Sequence, residues 1–146
     1  MGSGDVLVAE HQGGHLLKFT GDIRVSLCGA LDAHIEKIVS NKCVDDVTID
    51  LLDADGLDST ALGLLAKLSI HCQRDRGFTV KIFCNNVNIL RVFDAMGFHE
   101  IFTISSKASD SKMNAMLEVL EINSLPMSEI RHQVLDAHQT LAKLNP

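Results

Sequence analysis

The chain has no tryptophan and no tyrosine, and only six phenylalanines. Without Trp or Tyr it lacks a stacking platform for bases. Lys and Arg total 13 against 19 Asp and Glu, a net charge of −6, and the cations form no cluster. A nucleic-acid-binding face would need such a cluster; an acidic surface favours a basic protein partner instead. No apolar run approaches the roughly 20 residues that cross a bilayer. Met1-Gly2-Ser3-Gly4-Asp5 has neither a basic region nor an apolar core, which argues against a signal peptide and for the cytoplasm. Catalytic signatures are missing as well: there is no G-x-S-x-G elbow, P-loop or G-x-G-x-x-G. The histidines His11, His15, His34, His71, His99, His132 and His138 share no motif with a nucleophile or a metal ligand. Cys28, Cys43, Cys72 and Cys84 include no C-x-x-C pair, so metal spacing is absent. They lie in apolar or periodic segments and read as buried free thiols of a reducing compartment. These absences point away from an enzyme and from any cofactor or metal of the chain's own.

What is present suits one α/β domain. With 146 residues, 46% of them hydrophobic and 22% charged, the chain can bury a sizeable core. Strands are expected near residues 6–10, 16–23, 47–51, 79–84 and 101–104. The first two are joined by a turn at Gln12-Gly13-Gly14-His15, whose glycines supply positive φ. Between the later strands the period lengthens to that of a helix. Ser26 is placed to cap a first helix that buries Leu27, Leu31, Ile35 and Ile38. Arg76-Gly77 and Met96-Gly97 read as helix exits. An opening hairpin followed by alternating helices and strands predicts a mixed, mostly parallel sheet with packed helices.

The chain is organised around residues 47–72. Val47-Thr48-Ile49-Asp50-Leu51 is a short buried strand, Asp53-Ala54-Asp55-Gly56-Leu57 reads as an acidic turn, and a helix begins after Asp58. Asp58 is the natural cap, because its carboxylate can accept from free N–H groups of the first turn. Ser59 then opens the helix with its hydroxyl near solvent, while Thr60 points about 100° away. Asp45, Asp46, Asp50, Asp53, Asp55 and Asp58 crowd this stretch and make it acidic.

Leu57-Asp58-Ser59-Thr60-Ala61-Leu62-Gly63-Leu64-Leu65 resembles the signature of STAS domains, the fold of bacterial anti-sigma factor antagonists. A second match, Asn88-Ile89-Leu90-Arg91-Val92-Phe93-Asp94-Ala95-Met96-Gly97-Phe98-His99-Glu100-Ile101-Phe102, is similar to the family's last helix and its exit into the final strand. Phe19-Thr20-Gly21-Asp22-Ile23 is a weaker third. The resemblance covers about residues 5 to 105. One departure is Ala61, where many members carry Gly; Ala suits a helix better.

The resemblance implies an anti-sigma factor antagonist. Such a protein binds an anti-sigma factor, often a serine kinase, and so frees a sigma factor. It implies that the kinase phosphorylates Ser59 to end the binding and that a phosphatase restores it. It also implies a partner-binding face at Asp55, Gly56, Leu57, Asp58, Ser59, Thr60, Leu62 and Gly63. Two other readings remain open: a non-phosphorylated STAS subunit of a transporter or larger complex, and a receiver domain that accepts phosphate on Asp53 or Asp55. The receiver fold needs an acidic pair ending its first strand, and residues 6–10 offer none.

Residues 1–106 form the expected STAS domain and residues 107–146 a helical extension. Met113, Met116, Leu117 and Leu120 suggest one helix near 110–123. Ile130, Val134, Ala137, Leu141 and Leu144 suggest another near 127–144, the two broken apart at Asn123-Ser124-Leu125-Pro126. These stripes must be covered, by the domain itself, by a second copy in a homodimer, or by a partner.

Overall fold

The computed structural model describes residues 4–106, 115–120 and 140–141. In chain order the elements are β1 (Asp5–His11), β2 (Gly14–Ile23), α1 (Val25–Ser40), β3 (Asp46–Leu57), α2 (Ser59–His71), a π-helical turn (Cys72–Arg76), β4 (Val80–Phe83), α3 (Val87–Met96), a 3-10 turn (Phe98–Glu100), β5 (Phe102–Ser105) and β6 (Glu118–Val119). The sheet order is β5-β4-β3-β2-β1-β6. β2, β3, β4 and β5 run parallel to one another, whereas β1 pairs antiparallel with β2 and β6. The expected mixed, mostly parallel α/β sheet is therefore observed.

The β1–β2 hairpin closes His11 against Gly14, so its two turn residues are Gln12 and Gly13, at φ 50° and 86°. Positive φ at both central residues matches the twist of the flanking strands. The expectation placed the left-handed residues at the glycine pair; Gly14 instead starts β2.

Alternation along the central strands sends Val47, Ile49 and Leu51 of β3 and Leu17 and Phe19 of β2 into one core with Leu31, Ile35 and Ile38 of α1 and Leu64, Leu65 and Leu68 of α2. The opposite parity carries polar groups. Asp50 is buried beside its register partner Lys18, with Nζ to Oδ2 at 3.2 Å, and Lys18 also reaches Asp53 at 2.9 Å. Burial of Lys18 works against its charge, yet the hydrogen bonds and charges of Asp53 and Asp50 outweigh it and hold its pKa above the ordinary value.

Helix starts follow local capping chemistry in two of three cases. Asp58 accepts from the Ala61 N–H at 2.9 Å, and Asn86 accepts from the Asn88 and Ile89 N–H groups at 2.9 and 3.2 Å. Each such cap is worth about 1 kcal/mol. Ser26 is not a cap. The chain turns out of β2 directly after Ile23, Arg24 takes the extended cap position without a side-chain bond, and Ser26 falls inside the first turn of α1.

Two further expectations are corrected. The supposed acidic turn at 53–57 is strand: β3 continues to Leu57, paired with β2 as far as Ile23, and two register shifts absorb the mismatch. The second concerns the segment expected to be helical near 110–123. Within it Glu118–Val119 is a strand, pairing Leu7 with Val119 and Val8 with Glu118, and the Leu120 N–H donates to the Val6 carbonyl at 2.7 Å. The outer edge of β1 would otherwise present unpaired backbone groups, and this pairing satisfies some of them. Met116 is exposed, Leu117 and Leu120 are half-buried, and Met113 lies outside the described residues. Of the helix expected near 127–144, Thr140 and Leu141 are helical and Leu141 joins the core at 6% exposure. Ile130, Val134, Ala137 and Leu144 lie outside the described residues.

Candidate functional site

Parallel strands that each lead into a helix bring their carboxyl ends, and the starts of those helices, to one edge of the sheet. Here β2, β3 and β4 deliver the first residues of α1, α2 and α3 to that edge. The Asp58 N–H donates to the Ile23 carbonyl at 3.1 Å, which ties the start of α2 to the end of β2. Next to this tie Gly56 of β3 is the register partner of Asp22 of β2. A Cβ there would lie 2.9 Å from Asp22 Oδ1, so a larger residue would push the Asp22 side chain aside. Asp22 is itself held by Arg24 at 2.8 Å.

Ser59 is the first residue of α2 and is exposed. Asp58 beside it satisfies one first-turn N–H, and the remaining helix-start donors and the positive end of the helix dipole favour an anion there. Thr60, at 4% exposure, is buried. Of the other residues expected at a partner face, Asp55 is exposed, Gly56, Leu57 and Asp58 are half-buried, and Leu62 and Gly63 are buried. Thr60 and Gly63 are therefore covered within the chain itself, as Leu62 is.

The six aspartates do not form one cluster. Asp45 and Asp46 precede or begin β3, whereas Asp55 and Asp58 stand at or beyond its far end, about 30 Å away at ~3.3 Å per residue. Asp46 faces Lys81 at 3.5 Å, and Asp50 and Asp53 share Lys18. Asp22, Asp55 and Asp58 are the carboxylates left at the Ser59 edge.

A hollow of about 130 Å³ opens beside Ser59, lined by Asp55, Gly56, Leu57, Leu62, Asn88, Ile89 and Val92. The three residues from α3 were not expected at the site, although their segment carried a family resemblance. The rule that parallel strands gather their following helices at one edge was the signal that would have found them. Among the described residues no group of three or more His, Cys, Asp or Glu is arranged to hold a metal ion.

Residues 6–111 match the STAS domain family. The chain belongs to the STAS domain family. Among its relatives is the anti-sigma-B factor antagonist of Bacillus subtilis (strain 168), 28% identical over 93 residues that cover 60% of this chain and 84% of that protein. An anti-sigma factor antagonist from Mycobacterium paratuberculosis has a similar structure, with a TM-score of 0.62 at 20% identity, covering 77% of this chain and 93% of that one. The Bacillus cell fate determinant SpoIIAA in its phosphorylated form has a TM-score of 0.60 at 12% identity, covering 76% and 96%. The two structural likenesses lie in the fold of the STAS domain. Family membership replaces the receiver reading of Asp53 and Asp55.

Proposed function

We propose that this STAS domain is an anti-sigma factor antagonist whose binding is switched by phosphorylation of Ser59. It binds an anti-sigma factor in its unphosphorylated form and so releases a sigma factor to direct transcription. It works in the cytoplasm, and it acts by binding, with no chemistry of its own. The anti-sigma factor is a serine kinase that modifies Ser59, and a phosphatase reverses the modification. The observation that carries this reading is Ser59 itself: exposed, first in α2, beside the Asp58 cap, in a domain whose relative in Bacillus subtilis is named an anti-sigma-B factor antagonist.

The physics of the position supports a switch that leaves the fold intact. Phosphate adds about −1.5 to −2 charges, and helix N–H groups at the start of α2 stabilise them. On the binding face the same group is unfavourable. It must shed its water when a partner closes over it, and that desolvation disrupts a contact.

Titration calorimetry against the purified anti-sigma factor tests this. Ser59→Ala should bind as tightly as unphosphorylated wild type. Stoichiometrically phosphorylated protein should bind about a hundredfold more weakly, roughly 2.7 kcal/mol. Ser59→Asp should fall between them, because a carboxylate supplies only part of a phosphate's charge and bulk. Equal affinity in all three states would remove Ser59 as the switch and favour a non-phosphorylated docking subunit.

A further inference from the structure

The hollow beside Ser59 has an apolar floor and a polar rim. Leu62 of α2 and Ile89 of α3 are each 5% exposed at its base, Val92 is 40% exposed at its edge, and Asp55 and Asn88 stand at the mouth. Leu62 is three residues after Ser59, so the two share one side of α2. The geometry points to a receptor for one apolar side chain of the anti-sigma factor, flanked in that partner by a basic residue that pairs with Asp55. This rests on the function proposed above, and it names the anchor of that contact.

Size, surroundings and charge all favour this occupant. A cavity of about 150 Å³ lined by aliphatic side chains takes a benzene molecule, so a hollow of about 130 Å³ suits one leucine, isoleucine or phenylalanine side chain. An apolar anchor in a pocket with a polar rim is the arrangement that concentrates binding energy at protein interfaces. Asp55 is exposed and makes no ion pair among the described residues, whereas Asp53 nearby is held by Lys18. A cation on the partner would complete Asp55. The hollow also gives the proposed switch a means to weaken a basic partner although the added charge is negative. A hydrated phosphate on Ser59 stands one turn of α2 from Leu62, where it wets a seat that must close dry.

The test uses the full chain and the purified anti-sigma factor, with phosphorylated wild type as a parallel arm. Asn88→Trp sets a ring across the mouth, Val92→Asp puts a charge on the apolar edge, and Asp55→Lys reverses the rim. Ala33→Trp, on the exposed side of α1, is the control. Each variant is first checked for an unchanged melting temperature. Asn88→Trp, Val92→Asp and Asp55→Lys should each bind at least tenfold more weakly, and Ala33→Trp as wild type. If the hollow variants bind normally while phosphorylation still weakens binding, the receptor is wrong and the function stands. If the hollow variants weaken binding but phosphorylation does not, the receptor stands and the switch fails. If wild type binds no anti-sigma factor, both fall.

Discussion

At the scale of single residues, chemical reactivity follows burial. Burial pushes the Cys28 thiol up to about 12, with the charges of Asp58 and Asp32 adding to the effect, and the Cys72 thiol up to about 11 against the opposing pull of Arg76. Cys84 is also raised, chiefly by burial. Since the thiolate is the nucleophile, these three are inert at neutral pH. Cys43 differs: it is exposed, in the loop before β3, with its N–H donated to Asn41 Oδ1 at 2.9 Å. The sequence predicted four buried thiols, because all four lie in apolar or periodic segments; at Cys43 the side chain is exposed while its neighbour Val44 is buried. An aromatic disulfide reagent at pH 8 should titrate one thiol per native chain rapidly. Cys43→Ser should abolish that phase, and denaturant should expose the remaining three. Ser59 was the opposite case. A cap followed by the first helical residue is a local pattern, so the expected exposure of Ser59, the capping by Asp58 and the turning away of Thr60 were all legible.

At the scale of elements, the least legible segment is the one after β5. Its Met and Leu spacing predicts a helix, but Glu118 and Val119 within that stretch pair as β6 along the edge of β1. A period is a weak signal where an unpaired strand edge competes for the same backbone. Leu141 shows the other side of the comparison, since its position in an apolar stripe predicted coverage and it is buried in the core. Leu141→Ala should therefore lower the unfolding free energy by about 2–5 kcal/mol in urea denaturation, as expected for truncating a buried leucine. The exposed Met116→Ala should change it little. Equal stability of Leu141→Ala and wild type would show that this segment contributes nothing to the core.

For the molecule as a whole, a pair of histidines is expected to contribute to the response to acid. His15 of β2 is buried, and its ring lies 6.3 Å from that of His34 of α1, at 66°. Burial is the main cause lowering the pKa of each from 6.5; Glu10 of β1 opposes it at both, while His15 and Lys37 of α1 add to it at His34. A lowered folded pKa means that the unfolded chain binds more protons in the window between the two values, so stability rises with pH there. The contribution is complete above about 6.5 and is lost as pH falls from there through the lowered folded values. Thermal melts should accordingly show a lower Tm at pH 5.5 than at pH 7.5. His15→Leu should reduce that difference, because one of the two titrating groups is gone. A difference unchanged by His15→Leu would assign the acid sensitivity to other groups.

The sequence by itself determined the α/β class, the succession of the first five strands along the chain, the Asp58 cap, and the exposed serine after it. These depend on period and on hydrogen bonds within a turn or two of chain, which neighbouring residues encode. Only the tertiary structure decided that β3 runs on to Leu57, because that length exists only while β2 lies beside it and bulges absorb the mismatch. Only the tertiary structure separated Asp45 and Asp46 from Asp55 and Asp58, since an extended strand carries them to opposite ends of the sheet. It also placed Asn88, Ile89 and Val92 beside Leu62. Residues about 26 positions apart along the chain meet there because two parallel strands end at the same edge, and no local pattern records which strand lies next to which.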